Sequence, residues 1–425
     1  MNNLTKKKPN EDLVLTRYLY AKDEVFLSMI SAMLTHNLNE TLFWFGEWIT
    51  AVSYEEATQE IWRIYYDFYS IKNPKIERYI NNKIKIVTKD VSEIHKQFAN
   101  IIKNLVIAKN CSEVFLLRQF MKNGPFPNQI YKGRRAKWLQ TFDKEYANLL
   151  LSLHKRHWQN VCFYLNVLHK KIPEHYIEEC NNSNVIDDLH NVIITYFQSV
   201  EKISINMEFV FKKWADISYQ NKKHLLLAII VYLTKPEEEI VTNKKMFVSV
   251  TQKELDIIYN PEKYYCITNK SKKESVKCYD KLKFGRLYSI NKIIGSFELA
   301  RFNVNKDYKD ICNSHWEYFA IRSEIWKERM VYYDIETDEK TYKIIFRNNA
   351  NDDKYESFYE KYGYEPDEQP SEIQDKSLLE IPEMEYKIWF DYCFPDVEPI
   401  LELESIVQQD SNSEQLSGNN LKFSW

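Results

Sequence analysis

Apolar residues recur at helical spacing through most of the chain, and polar capping residues divide that pattern into consecutive segments. Asp23 precedes Val25, Phe26 and Leu27 and opens a helix predicted to reach about Thr35; the connection from His36 to Asn39 leads into a second from Glu40 to Ala51. Ser53 and Glu56 have capping-box spacing ahead of Trp62, Tyr65, Tyr66 and Tyr69, since a Ser oxygen can accept from the N–H three residues on. Asn73 before Pro74 is predicted to cap the next helix, because proline loses no helix bond at the first position. Asn110 and Glu113 repeat the capping spacing ahead of Val114 to Met121. Connections this short make consecutive helices antiparallel neighbours.

Gly124-Pro125-Phe126-Pro127 is the strongest break in the first half. Beyond it the helical period holds from Trp138 to Leu168, predicting one long helix or two nearly collinear ones. Further helices are predicted near residues 186–201, 205–216 and 221–233, the period weakens from Lys235 to Gly295, and it returns from Ile311 to Arg329. Met330 to Glu336 and Thr341 to Arg347 are rich in β-formers and flank a polar stretch, which predicts a β-hairpin. Glu365 to Pro370 is an acidic connector, and from about Gln408 the chain is rich in Ser, Asn and Gln. The expected fold is mainly α, an irregular helical-hairpin array or large helical bundle, with a small β-hairpin in an acidic C-terminal segment. The expected divisions are an N-terminal helical array over 11–122, a second helical region over 123–329, the acidic segment over 330–407 and a disordered tail over 408–425.

Composition adds to this picture. At 425 residues the chain exceeds the size at which one core stops growing. Its 7 Gly leave few positions suited to positive φ, which disfavours a β-sandwich and favours helices. Charge is divided unevenly: residues 331–425 hold 23 of the 61 Asp and Glu but 8 of the 58 Lys and Arg, a net of -15 against +12 for the rest. That asymmetry points to a charged partner, or to the two parts meeting each other. Lys outnumbers Arg by 46 to 12, which argues against bidentate reading of phosphates or base edges. Lys, Asn, Ile, Tyr and Phe are also the residues that AT-rich codons supply. The 7 Cys form no Cys-x-x-Cys pair and read as reduced thiols. The N-terminus has no apolar signal core, and Leu225 to Leu233, the longest apolar run, is too short for a membrane span. These features predict a soluble intracellular protein.

Three constellations invite a chemical reading. Asp334 and Glu336, within Tyr333-Asp-Ile-Glu-Thr337, resemble the first metal-binding motif of proofreading-type exonucleases, where carboxylates hold divalent cations, and Tyr392 with Asp396 has the spacing of the last. Only 60 residues separate Glu336 from Asp396, too few for the intervening fold, and a solvated acidic hairpin explains the same residues. His154 and His157, with Cys162, His169, His175, Cys180 and His190 downstream, supply nitrogen and sulfur ligands suited to zinc, but their spacing matches no closed zinc module. Lys132, Arg134, Arg135 and Lys137 are expected to open the long helix, where their charge and the helix N–H groups converge on a phosphate or nucleic acid. No P-loop, Gly-x-Ser-x-Gly or Gly-x-Gly-x-x-Gly motif is present, and no cofactor is implied.

Several phrases resemble an uncharacterised protein family of large nucleocytoplasmic DNA viruses of the mimivirus-like kind: Arg17 to Val25, Trp62 to Tyr69 with Asn73 to Glu77, and Tyr362 to Gln369. They are aromatic and structural, so the resemblance transfers no active site. It implies a giant virus, with the protein in the host cytoplasm, the virus factory or the virion. The leading expectation is a non-enzymatic helical scaffold or adaptor with protein partners; the alternative is a nucleic-acid-associated factor using residues 132–137, and a metal-dependent nuclease is the remote third.

Overall fold

A computed structural model describes residues 13–123, 136–170, 184–201, 219–234, 247–261, 314–347 and 352–362. Among these residues there are fourteen α-helices and one two-stranded antiparallel sheet, so the protein is mainly α with a small β-hairpin towards its C-terminus. No helix among the described residues is long and apolar enough to cross a membrane. The described residues fall into two compact units, one holding 13–116 with the described stretches from 219 to 362, the other holding 117–201.

The first unit begins with a closed loop, residues 13–21, and continues through α1 (Lys22–Leu34), α2 (Leu38–Ile49), α3 (Tyr54–Phe68), α4 (Ile76–Lys89), a 3-10 turn (Val91–Glu93) and α5 (Ile94–Ile107) to the start of α6 (Glu113–Asn123). Asn37 and Ser53 cap α2 and α3 by accepting from the N–H three residues on. Asn73 does not cap α4, contrary to expectation: its Nδ2 donates to the carbonyls of Tyr69 and Lys109, so it closes α3, and α4 starts at Ile76. The core between α1, α2 and α5 is strongly aromatic, with Trp44, Phe45, Trp48 and Phe98 fully buried.

Later elements return to this core. The apolar run at Leu225 lies in α10 (Tyr219–Leu233), which packs on α3 with Leu225, Leu226, Ile229 and Ile230 buried. α11 (Gln252–Tyr259) packs on α2, in the stretch where the apolar period had faded; its signal is a capping box made by Thr251 and Glu254. Then come α12 (Trp316–Ala320), α13 (Glu324–Tyr332), β1 (Ile335–Asp338), β2 (Lys343–Phe346) and α14 (Asp352–Tyr362).

The loop at 13–21 joins early and late elements. Leu19 holds φ 63°, a left-handed conformation costly for a Leu, while the Thr16 N–H donates to the Tyr20 carbonyl at 2.8 Å. At its centre Glu47, fully buried on α2, accepts from Arg17 Nε at 2.9 Å and Nη2 at 2.7 Å, and from the Thr16 hydroxyl and Tyr18 N–H at 3.0 and 3.2 Å. The loop carbonyls of Thr16 and Arg17 accept from Trp326 Nε1 and Arg329 Nη1 on α13.

The second unit holds the rest of α6, a 3-10 turn (Lys137–Leu139), α7 (Lys144–His154), α8 (Trp158–Lys170) and α9 (Asn184–Ser199). The expected single or collinear helix is instead a tight α-hairpin. Arg156 adopts φ 56°, the Arg156 N–H donates to the Leu153 carbonyl, and the His157 N–H donates to the Ser152 carbonyl, both at 3.0 Å. This pairing is a Schellman stop, built here without glycine. Asn148 Nδ2 then reaches Tyr164 Oη at 3.2 Å across the pair, each residue eight positions from Arg156, as antiparallel helices require.

Candidate functional site

The most unusual surface of the first unit lies on α13, the hairpin and α14. Trp326 and Met330 are four residues apart and both buried, so Met330 to Tyr332 continue the helix rather than open the strand predicted there. Asp334 then turns the chain at φ 56°, and β1 pairs with β2 in the register Ile335 to Phe346 and Glu336 to Ile345. Because strand side chains alternate, Ile335 and Phe346 share one face and Glu336 and Ile345 the other. Phe346 meets Phe358 at 5.8 Å between ring centroids; Phe358 in turn meets Tyr333 at 5.4 Å, and Tyr362 meets Trp326 at 5.2 Å, forming the aromatic floor of this surface.

On these same elements several large apolar side chains face solvent: Val331 is 74% exposed, Tyr332 75%, Ile345 51% and Tyr355 52%. Two ion pairs, of Arg347 with Glu336 and of Lys354 with Asp334, lie on the hairpin and between its first turn and α14. Exposed apolar side chains gathered on consecutive elements beside ion pairs are unusual on a folded surface. The charges of this hairpin are legible in the sequence and its exposed apolar residues are not, for a physical reason. An alternating strand does not say which face is outward until its register is known.

The acidic pair predicted as metal ligands is therefore divided. Asp334 stands in the turn before β1 and faces Lys354 on α14, whereas Glu336 lies on the outer sheet face against Arg347. Two such residues share one face only in a continuous strand, and the left-handed Asp334 interrupts it. Tyr392 and Asp396 lie outside the described residues.

In the second unit, His154 ends α7 and His157 precedes α8, so the bend at Arg156 separates two residues expected on one helix face. His154 Nδ1 lies 3.1 Å from Glu201 Oε1 and 3.3 Å from Tyr196 Oη, and Tyr196 also donates to Glu201. That bond from Tyr196 holds the Glu201 carboxyl below its ordinary value, while burial pushes the Tyr196 hydroxyl far up. Cys162 is buried and its thiol is raised by burial, with Sγ directed to the Leu117 carbonyl. Among the described residues no group of His, Cys, Asp and Glu has a geometry suited to a metal ion. His175 and Cys180 are outside them, as are Lys132, Arg134 and Arg135. Lys137 is exposed in the 3-10 turn beside Trp138, whose ring meets His154 at 5.9 Å and Tyr196 at 5.4 Å. The structure thus joins two constellations that the sequence left apart, the end of the basic run and His154.

Compared with known proteins, the chain matches no family model, no curated protein and no solved structure.

Proposed function

We propose that this chain is a non-enzymatic helical scaffold that binds a protein partner through the face formed by α13, the hairpin and α14. The carrying observation is the exposure of Val331, Tyr332, Ile345 and Tyr355 on three consecutive elements that share a packed aromatic cluster. Burying such side chains contributes about 25 cal/mol per Å² of apolar surface, and flanking ion pairs orient the partner more than they tighten it. Interface energy concentrates in a few aromatic and aliphatic anchors, and two Tyr are in place here. In the setting that the sequence phrases resemble, the partner belongs to an assembly of a large DNA virus in the host cytoplasm, virus factory or particle.

The test is affinity purification of the intact tagged chain beside a Tyr332→Lys/Ile345→Lys variant with unchanged circular dichroism. Partners that co-purify with the first and not the second support this face; an unchanged set overturns it. Lys137 beside the Trp138, His154 and Tyr196 cluster favours a second reading, in which the basic run at Lys132, Arg134 and Arg135 holds nucleic acid. That reading requires anisotropy of labelled DNA or RNA that falls steeply with salt and weakens in Arg134→Ala/Arg135→Ala. Absence of binding at low salt removes it.

A further inference from the structure

Asn100 and Asn104 stand one turn apart on α5 and grip an extended backbone. Asn104 Oδ1 accepts from the Val248 N–H at 3.0 Å and its Nδ2 donates to the Val248 carbonyl at 2.7 Å, so one carboxamide engages both main-chain groups of one residue. Asn100 Oδ1 accepts from the Val250 N–H at 2.7 Å. The match is geometric: four helical residues rise about 6 Å and two extended residues about 6.6 Å, so asparagines at i and i+4 meet alternate amides. Between them Lys103 Nζ donates to the Ser249 carbonyl at 3.0 Å and to both Glu254 oxygens at 2.8 Å.

The side chains of Phe247, Val248 and Ser249 are exposed, so the grip reads main chain and is indifferent to the side chains of residues 248 and 249. Its ends are selective. The Phe247 ring stacks on Tyr79 of α4 at 4.0 Å, and at the other end Ile257 and Ile258 are buried. Gly46 of α2 permits that approach, since a Cβ there would lie 3.0 Å from the Ile258 carbonyl oxygen. Affinity from the main chain with selection by a few side chains is how extended peptides are recognised in grooves.

We propose that this face of α2, α4 and α5 is a peptide-docking groove, in which residues 247–261 are a resident ligand that a partner protein's segment replaces. The partner segment carries an aromatic residue, an extended run of free composition, and a short helix with Glu seven residues after the aromatic and two aliphatics beyond. These residues are distinct from the hairpin face, so either proposal can fail alone.

A fluorescent peptide of residues 247–261 is titrated by anisotropy against three full-length chains whose folding is checked by circular dichroism: wild type, Phe247→Ala/Glu254→Ala, and that variant with Asn100→Ala and Asn104→Ala added. Binding to the weakened-resident chain is expected to be about tenfold tighter than to wild type, and to fall about tenfold when the asparagines are removed. A peptide with Val248 and Ser249 changed to Ala should bind as the parent does. Should the multiple variant fail to fold, a charge exchange decides: Lys103→Glu in the weakened-resident chain should lose the parent peptide and bind the Glu254→Lys peptide. No saturable binding to the weakened-resident chain, or binding indifferent to both the asparagines and the charge exchange, overturns the proposal.

Discussion

Two sets of ion pairs use the same chemistry in opposite settings. Arg17 and Glu47 are buried, with side chains 10% and 0% exposed, and every Glu47 oxygen has partners from a loop that three later elements also touch. Arg347 and Glu336 on the hairpin are 66% and 45% exposed. A buried carboxylate is tolerated only when the fold supplies its partners, whereas a surface pair is screened by water and easily replaced. The charge asymmetry of the sequence counted both kinds equally. The pair that organises the fold is one acid and one base in the basic part of the chain, and the acidic hairpin's pairs decorate an apolar face.

The largest expected effect tests that contrast. Glu47→Ala removes the carboxylate bonded to the buried Arg17 guanidinium and should destabilise the first unit by about 3–5 kcal/mol in chemical denaturation. Glu336→Ala should cost at most about 1 kcal/mol. Equal losses would break the comparison. Phe358→Ala removes the fully buried ring on which the hairpin rests and should cost about 3 kcal/mol, with loss of near-ultraviolet aromatic signal. A change under about 1 kcal/mol would mean that the hairpin surface does not depend on its aromatic floor.

Between these extremes lies Glu254, whose side chain is 16% exposed. Burial acts to raise its carboxyl, but the bonds from Lys103 and from the Thr251 N–H and hydroxyl outweigh it, and the net position is below the ordinary 4.5. A carboxyl lowered in the folded state contributes stability that is complete above 4.5 and is lost as pH falls through the lowered folded value. Glu254→Gln should therefore melt a few degrees below wild type at neutral pH, with the gap closing in acid. A gap that stays constant as the pH is lowered from neutral into strong acid would assign the difference to packing rather than to charge.

Much of the fold was legible, and the failures share causes. The Ser53 cap, the buried run at Leu225 and the hairpin's existence were readable because each is set by local chemistry. Helix α11 was missed because its eight residues are too few for periodicity to show, although Thr251 and Glu254 marked its start. The exchange of Asn73 from cap to helix closer depended on the distant Lys109 carbonyl. The exposed apolar face and the asparagine grip were invisible for the same reason: Asn100 and Asn104 have meaning only once residues 144 to 150 positions away lie against them.

The bend at Arg156 is the sharpest such failure, because a glycine there would have announced the helix stop. With 7 Gly in 425 residues, the chain makes left-handed turns at Leu19, His36, Arg156, Asp334 and Tyr342 instead. His36 and Arg156 both close Schellman stops, in which the next N–H reaches back five residues to Ala32 and Ser152 respectively. A non-glycine residue in this conformation costs about 1 kcal/mol, and a glycine loses part of that advantage through the greater freedom of its unfolded state. Arg156→Gly should accordingly stabilise the α7–α8 hairpin by up to about 0.5 kcal/mol, or raise its melting temperature by about 2 °C. Arg156→Ala, which keeps the strained φ, should give no such gain. A destabilised glycine variant would show that the Arg156 side chain, which lies near enough to lower the Glu201 carboxyl, contributes more than its backbone costs.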